Sequence, residues 1–560
     1  MKLIFHGHNE RYTVEQSLLN LFPGELPVYD EAEKSSQTDG TQEIHQAVIT
    51  LEELPRSTAE LSANVPEDTL CRVTVELSYG GKNVRQICEQ SLSGDSFKRE
   101  GIRRYLIGRC FFLAARQITG ITPPWGMLSG VRPDKPVSRA FLRGESHSQI
   151  RQMLEEDYFV TPDRAALAME TGYAAFEAAQ SLAPSDIAVY VGIPFCPTRC
   201  AYCSFVSQSV EKSFALVDPY VDALIEEIRS GGELARQTGL RVRAFYMGGG
   251  TPAVLSPEQM RRILTAFRES FDTTRCLEYT VEAGRPDIIT PELLETLREC
   301  GIDRVCVNPQ SMEEAVLQAI GRRHSPEDTE RAVKQAKAAG FTHINMDVIA
   351  GLPEDSPAGF ARTLARCMNL APDNLTVHTL ALKKGSRILT QQYDMPDNTR
   401  TQSDHSTAKR NSFHAKHNGS NEHNGFNAKR NSSGAKNVVS SARRTLPDAH
   451  TVAEMLAYAV QTLRQGGYAP YYLYRQKYMS GSFENTGWTL PGAQCLYNIL
   501  IMSELCGIWS FGAGASTKLT DSTGRRILRL FNPKYPEDYI RRPEKRLENL
   551  SAAAAFYHHP

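Results

Sequence analysis

YVGIPFCPTRCAYCSF, residues 190–205, begins inside a β-branched run and ends in a cysteine triplet. The run IAVYVGI (187–193) reads as a buried strand. Directly after it, Cys196, Cys200 and Cys203 stand in C-x3-C-x2-C spacing, so one short loop carries three thiols. Working outward, the same kind of run returns as RAFYMG (243–248), LEYTVEA (277–283), DRVCVN (303–308), INMDVIA (344–350) and LTVHTL (375–380). Helical patterns separate them: DPYVDALIEEIRSGGELARQ, SPEQMRRILTAFRES and TPELLETLRECG, with TPDRAALAMETGYAAF just before the series. Several open on Ser or Thr followed by Pro, a helix-start signal. Six strands alternating with helices predict parallel strands joined by right-handed crossovers, an α/β closed or partly closed barrel. Such barrels place their chemistry on loops at the C-terminal strand ends, where the cysteine loop lies.

Residues 1–180 read as an N-terminal α/β region. LIF and LCRVTVELSYGG (70–81) suggest strands, the latter with a Gly-Gly turn, and 96–117 suggests an amphipathic helix. PPWGMLSGVRPDKPVSR (123–139) reads as an ordered loop packed on the next domain. The barrel is assigned 181–390. Residues 391–450 are rich in Asn, Ser, His, Lys and Gly and repeat AKRNS at 408–412 and 428–432, which predicts a flexible low-complexity insertion. A C-terminal helical and mixed region follows over 451–550.

At 560 residues the chain has material for several domains. With 63 Lys+Arg against 64 Asp+Glu, it is not charged like a general nucleic-acid binder. No stretch nears the roughly 18 apolar residues of a membrane span, and the polar N-terminus lacks a signal h-region. The expected location is the cytoplasm, where most of the 12 cysteines serve as buried small hydrophobes.

Three thiolates can hold an iron–sulfur cluster with one iron left open. Zinc would want a fourth ligand, and no His or Cys lies within 70 residues downstream. Inert core cysteines are the remaining alternative. YMGGGTP (246–252) lets backbone approach a ligand, with the Thr251 hydroxyl beside it, or else makes a plain tight turn. Glu282, Asn308, Gln310, Arg322 and Asp347 fall at or beyond later strand ends; each alone is an ordinary capping or surface residue, and together they form a polar ring. His324 and His378 read as structural.

These motifs, with NPQS, IGRRH, INMDVIAGLP, LTVHTLALKKGS, YAPYYLYRQKYM and FGAGAS, resemble radical S-adenosylmethionine (SAM) enzymes of the oxygen-independent coproporphyrinogen III oxidase (coproporphyrinogen dehydrogenase) family, most closely its HemZ-type branch. The resemblance implies a partial (β/α)6 radical SAM barrel with a C-terminal domain covering its opening. It implies a [4Fe-4S] cluster on Cys196, Cys200 and Cys203, with SAM on the fourth iron. Tyr190, Gly249, Gly250, Thr251 and Glu282 fall where the family contacts SAM, and Glu282 is the candidate catalytic residue. Tyr202, Gln310, Arg322, Asp347 and Ala381 fall where the oxidase holds a second SAM. The implied reaction is reductive cleavage of SAM to a 5′-deoxyadenosyl radical, which takes hydrogen from propionates of coproporphyrinogen III so that carbon dioxide leaves and the vinyls of protoporphyrinogen IX remain. An electron donor such as flavodoxin or ferredoxin is implied. Arg475, Lys477, Lys383 and Lys384 are candidate cations for the propionates. Authentic oxidases carry a fourth cysteine two residues after the third; here Phe205 stands there, as in the related haem-binding chaperones that lack the oxidase activity.

Overall fold

The computed structural model describes residues 1–22, 24–29, 45–55, 69–128, 130–205, 207–383, 386–389, 393–394, 444–475, 483–521 and 526–558. Most of the expected insertion at 391–450 lies outside them, as do Lys384 and Lys477.

Strands β1 (Lys2–His6), β2 (Val28–Tyr29), β3 (Gln46–Pro55), β4 (Thr69–Tyr79) and β5 (Lys82–Leu92) form one sheet in the order β2-β1-β3-β4-β5. Along β4 every second residue, Cys71, Val73, Val75 and Leu77, is buried, because one face is covered and one is wet. The cover is helix Ser96–Thr119, whose start is capped by the Asp95 side chain accepting from the Lys98 N–H and whose end is Gly120 at φ 69°. The segment 123–139 does pack on later parts of the chain: the Trp125 indole donates to Glu484 at 2.8 Å and Lys135 meets Glu504 at 2.7 Å. It is not loop throughout, since Lys135–Leu142 is helical with Pro136 in the first turn.

The six strands read from the sequence are present as β6 (Asp186–Ile193), β9 (Arg241–Gly249), β10 (Glu278–Gly284), β11 (Arg304–Val307), β12 (His343–Ala350) and β13 (Asn374–Thr379), adjacent in that order and all parallel. Helices cover them, so their side chains are buried on both faces and the runs are continuously apolar. The helices begin as their Ser/Thr-Pro signatures require: Ser256, Thr290, Ser325 and Ser356 each accept a bond from the amide three residues on, with Pro in the first turn. Such a cap contributes about 1 kcal/mol.

Residues beyond 450 extend this sheet at both edges. Strands β17 (Glu484–Thr489) and β16 (Ala469–Arg475) add antiparallel beyond β13; β18 (Gly507–Phe511) lies parallel to β6, followed by β19 (Ser516–Thr520) and β20 (Ile527–Phe531). The two outermost strands of this sheet, β16 and β20, do not pair, so it is a partial barrel. Two small pairings close loop bases. Strand β7 (Phe195–Cys196) meets β8 (Gln208–Ser209) beneath the cysteine loop, and β14 (Tyr393–Asp394) meets β15 (Arg444–Thr445), so the insertion leaves and returns at one place.

Candidate functional site

Near the C-terminal ends of the otherwise buried barrel strands, Tyr190, Glu282, Asp347 and His378 remain partly exposed. They line the barrel mouth. The Tyr246 hydroxyl donates to Glu282 Oε1 at 2.5 Å. The rings of Tyr190, Tyr246 and Tyr497 cluster, with Tyr246 and Tyr497 stacked at 4.5 Å and Tyr190 at 6.3 Å from each. Burial pushes the Glu282 carboxyl up to about 7, and the nearby Asp347 charge adds to this; the Tyr246 bond, the Gly249 N–H and His378 oppose it. His378 Nε2 lies 3.8 Å from Asp347 Oδ2, so His378 belongs to the mouth and not, as its sequence context suggested, to the packing alone.

Each glycine of YMGGGTP meets a different demand. A Cβ on Gly248 would fall 2.7 Å from Glu282 Oε2; Gly249 has φ +112°; a Cβ on Gly250 would fall 2.4 Å from the Phe195 carbonyl. This bare backbone docks on the cysteine loop, with the Gly250 and Thr251 N–H groups donating to the Ile193 and Phe195 carbonyls, each at 2.7 Å. Thr251 Oγ1 reaches Cys196 Sγ at 3.5 Å.

The loop itself is braced from several elements. Ala201 N–H donates to the Ile320 carbonyl, and the Ala201 carbonyl accepts from Ser386 Oγ and Ile388 N–H. Arg285, paired to Asp287 at 3.0 Å, donates to Thr198 Oγ1. Arg322 donates to the Asn308 carbonyl at 2.5 Å and to the Tyr202 hydroxyl at 3.1 Å. Gln310 sits at φ 68°, strained for a side-chain-bearing residue, and bridges β12 through the Asp347 carbonyl and the Ile349 N–H. Ala381 follows Leu380, whose N–H donates to the Ala350 carbonyl beside the loop.

Cys196 and Cys200 are buried, and Cys203 is close enough to both to feel their charge; burial pushes the Cys203 thiol up to about 11. Among the described residues no three His, Cys, Asp or Glu side chains are gathered as a ready-made metal site. The donor set suits a cluster with an open iron, since it offers three thiols and stops there. Beside it, the buried Asn308 Oδ1 and Arg322 Nε have no protein hydrogen-bond partner, which suits a polar ligand in the mouth.

One sequence candidate changes meaning. Arg475 is 9% exposed; burial lowers it to about 10, and it donates to the Leu128 carbonyl at 2.5 Å, so it ties β16 to the 123–139 segment and is not available to propionates. Lys383, by contrast, lies near Cys203. His324 is buried, lowered to about 3 by burial and the neighbouring Arg322 and Arg285. Tyr246 and Tyr497 were not singled out by sequence. Tyr246 lies within YMGGGTP at an even spacing from Gly248, the one signal that it shares the inner face. A cavity of about 660 Å³ lies at the opposite strand ends, lined by Glu278, Arg298, Arg304 and His343. Its Glu278 caps helix Leu496–Ser503, accepting from the Leu496 N–H at 2.8 Å, as suits the stability face of a barrel.

Residues 190–367 match the Radical SAM superfamily. Over 477 residues, 84% of this chain, the protein is 33% identical to the oxygen-independent coproporphyrinogen-III oxidase-like protein HemZ of Bacillus subtilis (strain 168), covering 85% of it. The chain belongs to this oxidase-like radical SAM family. As a radical SAM protein it uses a [4Fe-4S] cluster and S-adenosylmethionine. The family likeness extends to the heme chaperone HemW of Lactococcus lactis subsp. lactis (strain IL1403), at 32% identity over 36% of this chain and 51% of that protein. Among solved structures the radical SAM protein is similar to coproporphyrinogen III oxidase (HemN) of Escherichia coli, with 21% identity and a TM-score of 0.45 over 67% of this chain and 73% of that one. No helix among the described residues is long and apolar enough to cross a membrane.

Proposed function

We propose that the protein is a radical SAM coproporphyrinogen III dehydrogenase-like enzyme of haem biosynthesis. Identity sustained over 477 residues, far beyond the 190–367 match, to an oxidase-like relative carries this reading. Cys196, Cys200 and Cys203 would hold the cluster. Tyr190, Gly249, Gly250, Thr251 and Glu282 would hold SAM, with Tyr202, Gln310, Arg322, Asp347 and Ala381 at a second. When bound, cluster and SAM supply a one-electron cleavage that furnishes a hydrogen-abstracting carbon centre. The protein's own part is placement. Tyr246 and the Gly249 N–H hold the Glu282 carboxylate, which would face a donor on SAM, and the docked glycine turn brings backbone to the ligand without a side chain between them. Lys383 supports a propionate carboxylate near the cysteine loop, and the stacked tyrosines exclude water. Each of the two reacting propionates would lose one hydrogen atom to that carbon centre, then carbon dioxide and one electron, the electron passing to an external one-electron acceptor. An electron donor of the flavodoxin or ferredoxin kind would reduce the cluster.

A second reading, a haem-binding chaperone related to the oxidase but lacking its activity, is favoured by Phe205. This residue replaces the oxidases' fourth cysteine and is 66% exposed beside the loop. Anaerobic reconstitution followed by SAM, reductant and coproporphyrinogen III separates the two. Protoporphyrinogen IX with carbon dioxide is expected; haem binding without turnover would establish the chaperone reading instead.

A further inference from the structure

Two cysteines outside the barrel face each other across the N-terminal sheet and its helix. Cys88 on β5 is directly opposite Val73 on β4. Paired residues of an antiparallel ladder project to the same face, and Val73 is fully buried in the core under helix Ser96–Thr119. Cys88 therefore points at that helix. Cys110, on the helix, has its sulfur 3.3 Å from the Val73 carbonyl and 3.3 Å from the Gln86 carbonyl. It thus lies over the rung that holds Cys88, and the two thiols are within hydrogen-bond reach of each other.

We propose that Cys88 and Cys110 form an oxidation-sensitive pair that hydrogen peroxide converts to a disulfide between β5 and helix Ser96–Thr119. Their environments divide the work. Cys88 is half-buried and can be reached from solvent, whereas Cys110 is fully buried and can only resolve what forms beside it. The Cys110 bond and the Arg109 charge bring the Cys88 thiol down, toward the nucleophilic thiolate, while the same bond and burial push the Cys110 thiol up. That thiolate attacks one peroxide oxygen, giving the sulfenic acid and, after protonation, water. The Cys110 thiol then attacks the sulfenic sulfur; a second water leaves and the sulfur–sulfur bond forms. Two thiols are oxidised and one peroxide is reduced to two waters. The closing sulfurs must approach to about 2 Å, a small movement for groups already in contact. The pair also lies beside the junction with the rest of the chain: on the same helix Phe112 stacks on Phe159 at 5.3 Å, and Arg109 covers that ring at 5.0 Å.

The test is a non-reducing tryptic map of the full chain after one equivalent of hydrogen peroxide and alkylation. The expected product is a cross-linked species joining residues 86–98 to residues 110–116, absent after dithiothreitol and absent in Cys88→Ser. Its rate of formation should rise with pH and level off below the ordinary thiol range of about 8.5. Sulfinic acid at Cys88 with Cys110 still alkylated, or a link from Cys88 to Cys71, would overturn the proposal. The wild-type map alone suffices if the variant fails to fold.

Discussion

Replacing Glu282 by Gln should stabilise the protein above neutral pH while impairing its SAM site. The carboxyl titrates near 4.5 when unfolded and at about 7 when folded. A raised folded value means that the folded state holds the proton more tightly. The associated stability is full below about 4.5 and is lost as pH rises from there to about 7. Above that range the ionised carboxylate costs about 2.5 pKa units, or roughly 3 kcal/mol. Because the mouth keeps some contact with solvent, about 2 to 3 kcal/mol is the expected gain for Glu282→Gln at pH 8, falling below about 1 kcal/mol at pH 5. The Gln oxygen can still accept from Tyr246, so packing is preserved. Urea titrations of cluster-free protein at the two pH values, without SAM, measure the difference. A variant less stable at pH 8, or a difference that ignores pH, would refute the argument; SAM affinity of the reconstituted variant should fall by at least tenfold.

Gly250→Ala would place a methyl group 2.4 Å from the Phe195 carbonyl and 2.9 Å from that of Ile193. It should pry the glycine turn from the cysteine loop, and iron content after reconstitution should drop severalfold while far-ultraviolet circular dichroism stays unchanged. Glu227 is buried and accepts from the Gly512 N–H at 2.9 Å, Asn532 at 2.7 Å and the Tyr539 hydroxyl at 2.6 Å, joining helix Val217–Gln237 to the C-terminal region. Glu227→Leu strands the Gly512 N–H and the Tyr539 hydroxyl, leaving Asn532 Nδ2 only its bond to the Gly512 carbonyl at 3.0 Å, and should cost about 3 to 5 kcal/mol in urea unfolding; Glu227→Gln should cost less than about 2 kcal/mol.

The barrel was legible because its strands are buried on both faces, leaving unbroken β-branched runs, and because Ser/Thr-Pro marks so many helix starts. The cysteine loop was conspicuous because its three candidate ligands are local in sequence. What escaped notice depends on register and long-range packing. His378 looks like any strand histidine until alternation turns it toward Asp347. Arg475 looks like a substrate cation until Leu128, 347 residues earlier, takes its guanidinium. Tyr497 arrives from the C-terminal region to stack on Tyr246, a contact no local pattern announces. The 123–139 segment shows the same limit: its Gly and Pro content hid a helix whose surroundings lie at residues 502–504.

The central claim, that this mouth takes hydrogen from a propionate, is tested most directly by isotope transfer. Coproporphyrinogen III deuterated at the propionate carbons next to the ring is incubated anaerobically with the reconstituted protein, SAM and reductant. The account predicts deuterium in the recovered 5′-deoxyadenosine together with vinyl product. Deuterium-free 5′-deoxyadenosine, or no cleavage of SAM in the presence of the tetrapyrrole, would contradict it.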